Sequence, residues 1–291
     1  MGLKLLALLA AAACMLPAPA QALVPYVFVP SAKELGKAGL GIAGAAAGLL
    51  QIGQVEEGRK LARLAVQVLP SDPRAWLVLA EAELRSTAKG EKNNRAYEAL
   101  AKAKQLDPNN PGVWFAEGSL NLRNKKPEEA QKLLREGLRL DPNNPGAYFD
   151  LGNAQIQLKE LNPALSSFEK AAGLRKNFWE AVNNQAIVLF EQGRRSEAIG
   201  RWRKALEISS DAAEPSLALA AALYSESKTS TETINLAIQA LVKEPDYVLD
   251  AYQKDQLWGA KLRQATQVMF LDERLRGSVD RAMGMAGFKE E

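Results

Sequence analysis

Few kinds of side chain in this 291-residue chain could carry chemistry. It has no histidine, and its single cysteine is Cys14. Nucleophile–imidazole pairs, histidine zinc sites, internal disulfides and thiolate metal clusters are therefore excluded. An enzyme would have to rely on carboxylates, lysine or tyrosine, and Glu81 with Asp150 would be its acids. We treat that enzyme as the weaker alternative and expect no catalytic residue, no metal and no cofactor.

The string LDPNNPG occurs at 106–112 and again at 140–146, and its acidic and amide side chains suggest a calcium loop. No glutamate follows at the spacing of an EF-hand, however, and the prolines remove the flexibility that such a loop needs. Asn110 and Asn144 stand where a helix N-cap is favoured, and each precedes a proline suited to the first helical position. The string is predicted to be a turn between helices that binds no ligand.

The two strings begin 34 residues apart and are part of a longer internal repeat. Small residues recur where two helices must approach closely, and large residues recur where they can fill the space beside them. Aligned pairs are Trp114 with Tyr148, Gly118 with Gly152, Ala130 with Ala164, and Leu134 with Phe168. Six copies are predicted over 39–246, at 39–72, 73–110, 111–144, 145–178, 179–212 and 213–246, with a four-residue insertion in the second.

A 34-residue unit of two helices with this order of aromatic, small and proline positions resembles the tetratricopeptide repeat (TPR). The resemblance implies an all-α, right-handed α-solenoid, because neither helix of a unit buries its apolar face alone and the units must stack. It also implies a concave groove, lined by the first helix of each unit, that binds a peptide or a partner protein. Residues 247–291 are expected to form C-terminal capping helices and a tail, with one helix over Leu257–Arg276 and fraying from Met283 onward.

Residues one, five and eight places after the aromatic position share one face of each first helix. With their neighbours they are predicted to form a groove of exposed phenylalanines and an amide cluster. We expect Asn153 and Asn184 to hold a partner's main chain, since an amide both donates and accepts, while Phe115 and Phe149 take its apolar side chains. The predicted groove residues are Glu81, Arg85, Phe115, Ser119, Arg123, Phe149, Asp150, Asn153, Gln157, Asn183, Asn184 and Phe190.

Two other classes of partner fit the sequence poorly. Relatives that bind the acidic tails of chaperones use a Lys/Asn/Lys/Arg set, but here Phe149 replaces the first lysine, and Glu214 and Ala218 replace the later basic pair. The net charge of +3 is nearly balanced, and the basic clusters alternate with glutamates and lack an aromatic stripe. A protein or peptide partner, with no nucleic acid, is therefore predicted.

Residues 1–22 have the layout of a secretory signal peptide, with Lys4, an apolar run and an A-x-A motif ending at Ala22. The run of about 12 apolar residues is shorter than the ~20 that span a bilayer. We expect cleavage after Ala22 and export to a periplasm or a thylakoid lumen. A membrane anchor and a lipoprotein acylated at Cys14 remain alternatives, and residues 23–38 are expected to be an extended linker.

This layout, an apolar N-terminal segment followed by helical repeats, favours a scaffold or adaptor that assembles a complex in a bacterial envelope or a photosynthetic membrane. The stretch Ala38–Val55 offers a structural alternative. It has no charged residue and carries Gly44-x-x-x-Gly48, so self-association through this helix would also account for it.

Overall fold

The structure is a computed structural model that describes residues 31–86, 94–226 and 230–287, and within them it contains fifteen α-helices, one short 3-10 helix and no strand. The all-α class predicted from the sequence is confirmed. The α-helices are α1 (Ala32–Gln51), α2 (Val55–Val68), α3 (Pro73–Ser86), α4 (Asn94–Leu106), α5 (Pro111–Arg123), α6 (Pro127–Leu140), α7 (Pro145–Gln157), α8 (Leu161–Leu174), α9 (Trp179–Glu191), α10 (Arg195–Ile208), α11 (Ala213–Ser225), α12 (Thr231–Lys243), α13 (Asp250–Asp255), α14 (Ala260–Phe270) and α15 (Arg276–Met285). The 3-10 helix is Pro245–Val248.

The first twelve helices pack in six consecutive pairs, from α1 with α2 to α11 with α12. The second helix of each pair also packs on the first helix of the next pair, and consecutive first helices contact one another. The pairs therefore stack in one dimension as an α-solenoid.

The helices of a pair approach closely at a glycine of the first helix. A Cβ atom on Gly152 would lie 2.5 Å from the Phe168 ring, and one on Gly118 would lie 2.6 Å from Leu134. Phe168 and Leu134 are fully buried, as are Ala130 and Ala164. The predicted packing of small against large residues is confirmed at these two pairs.

The repeated LDPNNPG strings form the turns before α5 and α7. Asn110 Oδ1 accepts the Gly112 N–H at 3.0 Å, and Asn144 Oδ1 accepts the Ala147 N–H at 2.9 Å. The Trp114 indole N–H donates to the carbonyl oxygen of Pro108 at 2.9 Å and ties the first turn to the helix that follows it. The predicted N-caps are confirmed.

The extended linker predicted over 23–38 is wrong in its second half, because α1 begins at Ala32. Ser31 caps this helix: its hydroxyl accepts the Glu34 N–H at 3.3 Å, and the Glu34 carboxylate accepts the Ser31 N–H at 2.8 Å. This reciprocal capping box fixes the start of the helix. The predicted signal peptide, at 1–22, lies outside the described residues.

The single capping helix predicted over Leu257–Arg276 is also wrong. Leu257 has a φ of 65°, a left-handed conformation that no helix interior allows, and α14 starts only at Ala260. It ends at Phe270, where a turn follows in which Asp272 accepts the Arg274 N–H at 3.0 Å. The helix α15 comes next and contains Met283, which was expected to fray. None of the described helices is both long and apolar enough to cross a membrane.

Candidate functional site

The first helices of the pairs carry the predicted groove, and the structure divides it into two parts. The helix α14 packs across α9 and α11, the first helices of the last two pairs. We call the inner face of α9 and α11, under α14, the covered half. We call the inner face of α3, α5 and α7 the open half.

Burial differs sharply between the two halves. All ten residues of Ala181–Phe190 in α9 are buried, as are all nine of Pro215–Leu223 in α11. A helix on the surface of a solenoid keeps a partly exposed face, as α5 and α7 do. The burial of these two stretches on every side agrees with the position of α14 on the inner side of α9 and α11.

The end of α9 binds the beginning of α14 through Glu191. Its carboxylate accepts the backbone N–H of Leu262 at 3.0 Å and that of Lys261 at 3.3 Å. A Cβ atom on Gly259 would lie 2.0 Å from the Glu191 carboxyl carbon, so a larger residue there would displace the Glu191 carboxylate. A carboxylate at a helix N-terminus satisfies free N–H groups and interacts favourably with the helix dipole.

The beginning of α11 binds the segment before α14 through Glu214. The indole N–H of Trp258, which is 2% exposed, donates to Glu214 Oε1 at 2.9 Å. Burial raises the pKa of Glu214 to about 7, against the opposing effect of hydrogen bonds from Trp258, Asn183 and Tyr247. The covered half is thus closed over a carboxyl group that titrates near neutral pH.

From α5 to α9, neighbouring first helices are joined by polar side chains. The Ser119 hydroxyl donates to the Asp150 carboxylate, and Asn184 Nδ2 donates to Asn153 Oδ1 at 3.0 Å, each across 31 residues. Burial raises the pKa of Asp150, and the bond from Ser119 opposes this rise. The next equivalent pair, Ile187 and Ala218, is apolar and lies in the covered half.

Two arginines of the open half bind the preceding first helix. Arg85 donates to the carbonyl oxygen of Leu50 at 2.7 Å and to the Glu81 carboxylate at 2.7 Å. Arg123 donates to the carbonyl oxygen of Leu84. Because helix C-termini have free carbonyl groups, both arginines stabilise the ends of α1 and α3 as well as lining the groove.

The aromatic side chains predicted to face the partner pack between helices instead. The Phe149 ring lies 5.7 Å from that of Phe168 and 5.1 Å from that of Phe178, and Phe115 packs on the cluster around Leu134. Both are half-buried. Phe190 is 2% exposed, with its ring 5.7 Å from that of Trp202. The prediction that Phe190 is exposed is therefore wrong.

The amide cluster is likewise bonded within the protein. Asn183 is fully buried and accepts the Trp202 indole N–H at 3.0 Å, while its own amide donates to Asn184 at 3.2 Å. Asn184 is buried, and Asn153 is half-buried. These amides link α7, α9 and α10. The hydrogen bonds that we expected them to make to a partner's main chain are thus made between helices of the protein itself. Exposed side chains at predicted groove positions are Glu81, Arg85 and Gln157.

The acids suggested for an enzyme are engaged separately, Glu81 with Arg85 and Asp150 with Ser119. Across the described ranges, no group of three or more histidine, cysteine, aspartate or glutamate residues is arranged to hold a metal ion. The residues that decide the shape of the groove, Glu191, Glu214 and Trp258, were not predicted. The repeat register pointed to two of these positions, because Glu191 occupies the position of Arg123 and Gln157, and Glu214 stands where chaperone-binding relatives have a basic residue.

Comparisons with known proteins agree with this geometry. Two tetratricopeptide repeat models match residues 92–145 and 121–177. The chain carries tetratricopeptide repeats. No curated protein sequence matches it.

Solved structures of tetratricopeptide repeat proteins share the fold. The chain is similar to pilF of Pseudomonas aeruginosa, with a TM-score of 0.61 and 21% identity over 81% of this chain and 99% of that one. It is also similar to TTC0263, a TPR protein of Thermus thermophilus, with a TM-score of 0.55 and 21% identity over 64% and 99% of the two chains. A third is YrrB, described as a TPR protein with an unusual peptide-binding site, with a TM-score of 0.50 and 18% identity over 67% and 97%.

The matched tetratricopeptide repeats span α4 to α8, which includes two of the three helices that line the open half. The covered half lies outside these matches. The repeat models therefore cover two of the three helices of the open half and none of the covered half.

Proposed function

We propose that this protein is a non-enzymatic interaction scaffold that binds a peptide or a helix of a partner protein in the open half of its groove. The observation that carries the proposal is α14. This helix buries Leu262, Thr266 and Met269 on the inner face of α9 and α11. The same face of the stacked repeats therefore accepts a helix, and at α3, α5 and α7 the described residues leave it uncovered.

The chemistry of the open half suits such a partner. Half-buried apolar side chains such as Leu77 and Leu122 lie beside exposed polar ones such as Glu81 and Gln157. A rigid surface of this kind binds by preordered contacts and pays little conformational entropy on association. The peptide-binding site described for YrrB supports the same use of the fold.

Site-specific photocrosslinking tests the proposal. A photoreactive phenylalanine analogue placed at Glu81 or Gln157, on exposed positions of the open half, is expected to crosslink the same protein in cells. The matched controls are Lys132 and Lys170, which are equally exposed but lie on the second helices α6 and α8. Equal crosslinking from both sets, or none from the first, would contradict the proposed groove.

We further propose that the protein is exported or held at a membrane by residues 1–22 and assists the assembly of an envelope or photosynthetic-membrane complex. The signal-like layout of these residues supports this proposal. Cell fractionation with N-terminal sequencing tests it, with a mature protein beginning at Leu23 as the expected result. A chain that keeps Met1 and stays in the soluble cytoplasmic fraction would contradict it.

Self-association through α1 is a second candidate, and one observation favours it. Cβ atoms added at Gly41, Gly44 and Gly48 would meet nothing within 4 Å, and Ile52 beside them is 70% exposed. This face of α1 is flat and uncharged. Light scattering should show a dimer that Gly44→Leu converts to a monomer, whereas a monomer in both forms removes this candidate.

A further inference from the structure

A cleft of about 390 Å³ lies at the edge of the groove, where α14 meets the ends of α9 and α11. Among the described residues, its walls combine cationic, amide and apolar side chains, and none of these lining residues is acidic. The principal lining residues are Phe190, Arg195, Tyr224, Lys261, Gln264 and Val268.

The two cations of the cleft differ in how they are held. Arg195 has its guanidinium 5.9 Å from the centre of the Phe190 ring and forms no ion pair with any described residue. The Lys261 ammonium donates to the backbone carbonyl of Glu191 at 2.6 Å, and the Glu191 carboxylate is itself occupied by N–H groups of α14. The nearby Asp272 is paired with Arg274 at 2.6 Å.

Apolar side chains in and beside the cleft are also exposed. Val268 is 51% exposed although it faces the cleft, and Leu271, one turn further along, is 82% exposed. Apolar side chains beside a cation without a carboxylate partner are complementary to a segment that carries an acid next to an apolar residue.

We propose that this cleft binds an acidic peptide segment, with a carboxylate at Arg195 and Lys261 and a neighbouring apolar side chain on Val268. The inference rests on the proposed scaffold function and adds where and how a partner chain is held at the boundary of the covered half. The guanidinium of Arg195 can bind both oxygens of a carboxylate, which makes it the main determinant.

Synthetic peptides test the proposal on the full-length protein. The probe is an amidated eight-residue peptide of serine and glycine with a central Leu-Asp pair, and its neutral twin carries Leu-Asn. A third peptide of the same length has a free C-terminal leucine as its only carboxylate, which separates a chain terminus from an acidic side chain. Fluorescence anisotropy gives the affinities, and the NMR signal of the Arg195 side-chain N–H reports the site.

We expect one or both of the acidic peptides to bind at least about tenfold more tightly than the neutral twin and to shift the Arg195 signal. Arg195→Glu should abolish this preference. Arg203→Glu makes the same change of charge on an exposed position of α10 outside the cleft and should leave it intact. Equal binding of all three peptides, or equal loss in both variants, would overturn the proposal. Crosslinking at Glu81 and Gln157 does not depend on Arg195, so failure of the cleft and failure of the groove are distinguishable.

Discussion

The open and covered halves of the groove use the same repeat positions for opposite purposes. Ser119 with Asp150 joins α5 to α7 in the open half, and Asn153 with Asn184 joins α7 to α9 at the boundary. The equivalent pair between α9 and α11, in the covered half, is Ile187 and Ala218. The repeat position at the C-terminal end of each first helix also differs. In α5 it is Arg123, which donates to the carbonyl oxygen of Leu84 in α3, and in α9 it is Glu191, which accepts N–H groups at the start of α14. The fold of each pair is unchanged, and a few side chains decide whether its inner face is available.

This difference shows that burial, and not the repeat itself, sets the chemistry of each position. A polar pair such as Asn153 with Asn184 is tolerated between first helices because its donor and acceptor satisfy each other. Beneath α14 the equivalent pair, Ile187 and Ala218, is apolar, and the polar side chains buried near it, Asn183 and Glu214, are hydrogen-bonded.

The largest effect is expected from removal of the anchor that holds α14. Trp258→Ala deletes a buried indole and leaves Glu214 without its donor, so it should destabilise the covered half by about 3–5 kcal/mol. Hydrogen exchange should quicken in α9, α11 and α14 and stay unchanged in α5 and α7. Trp114→Ala, in the open half, is the control and should give the reverse pattern. Uniform loss of protection by Trp258→Ala would show that the two halves unfold as one unit.

A smaller effect is expected from the charge of Glu214. Because its pKa is about 7 in the folded protein and its ordinary value is 4.5, its contribution to stability is fully present below pH 4.5 and is lost as the pH rises to about 7. Glu214→Gln should therefore stabilise the protein above pH 7 by on the order of 2–3 kcal/mol and have little effect below pH 4.5. Urea unfolding of both proteins across this range measures the difference, and parallel pH profiles would contradict the role of Glu214.

The polar contact between α7 and α9, made by Asn153 and Asn184, can be replaced by the apolar pair found between α9 and α11. Asn184→Ala alone removes the donor to Asn153 Oδ1 and one acceptor of the Asn183 amide, and it should cost about 1–2 kcal/mol. Adding Asn153→Ile reproduces the Ile187–Ala218 pair and should recover part of this loss. Thermal unfolding of the single and double variants gives the coupling energy. A double variant less stable than the sum of the two single changes would refute the equivalence of the two junctions.

The smallest effect is expected at the clasp between α9 and α14. Glu191→Gln keeps a hydrogen-bond acceptor but removes the charge at the helix N-terminus, and it should cost about 1 kcal/mol. The control is Gln157→Glu, which places the same charge at the equivalent position of the open half, where no described helix begins. Only the first change should speed hydrogen exchange at the start of α14.

Much of the fold could be predicted because equivalent contacts recur in successive repeats, so the same residue types appear several times at the same spacing. The 34-residue period, the asparagine caps and the glycines opposite Leu134 and Phe168 are local signals, and each is found in the structure. The capping box of Ser31 and Glu34 is a local signal of the same kind, and it marks the start of α1.

The position of α14 could not be predicted in the same way. Its apolar residues indicate a helix, but nothing in their spacing tells which surface they cover, because this helix occurs once and has no repeated counterpart. The packing of α14 on α9 joins residues that lie about 70 positions apart, as in the hydrogen bonds of Glu191 with Lys261 and Leu262. The sequence pattern therefore does not predict the division of the groove into two halves.

Because α14 packs on two consecutive first helices, it limits where this chain can gain further repeats by duplication. A unit duplicated between α6 and α7 would lengthen the open half and leave every contact of α14 in place. A unit duplicated between α10 and α11 would separate Glu191 from Glu214, and α14 could no longer bind both. Gains in length are thus confined to the N-terminal side, and the last two units behave as a fixed terminus.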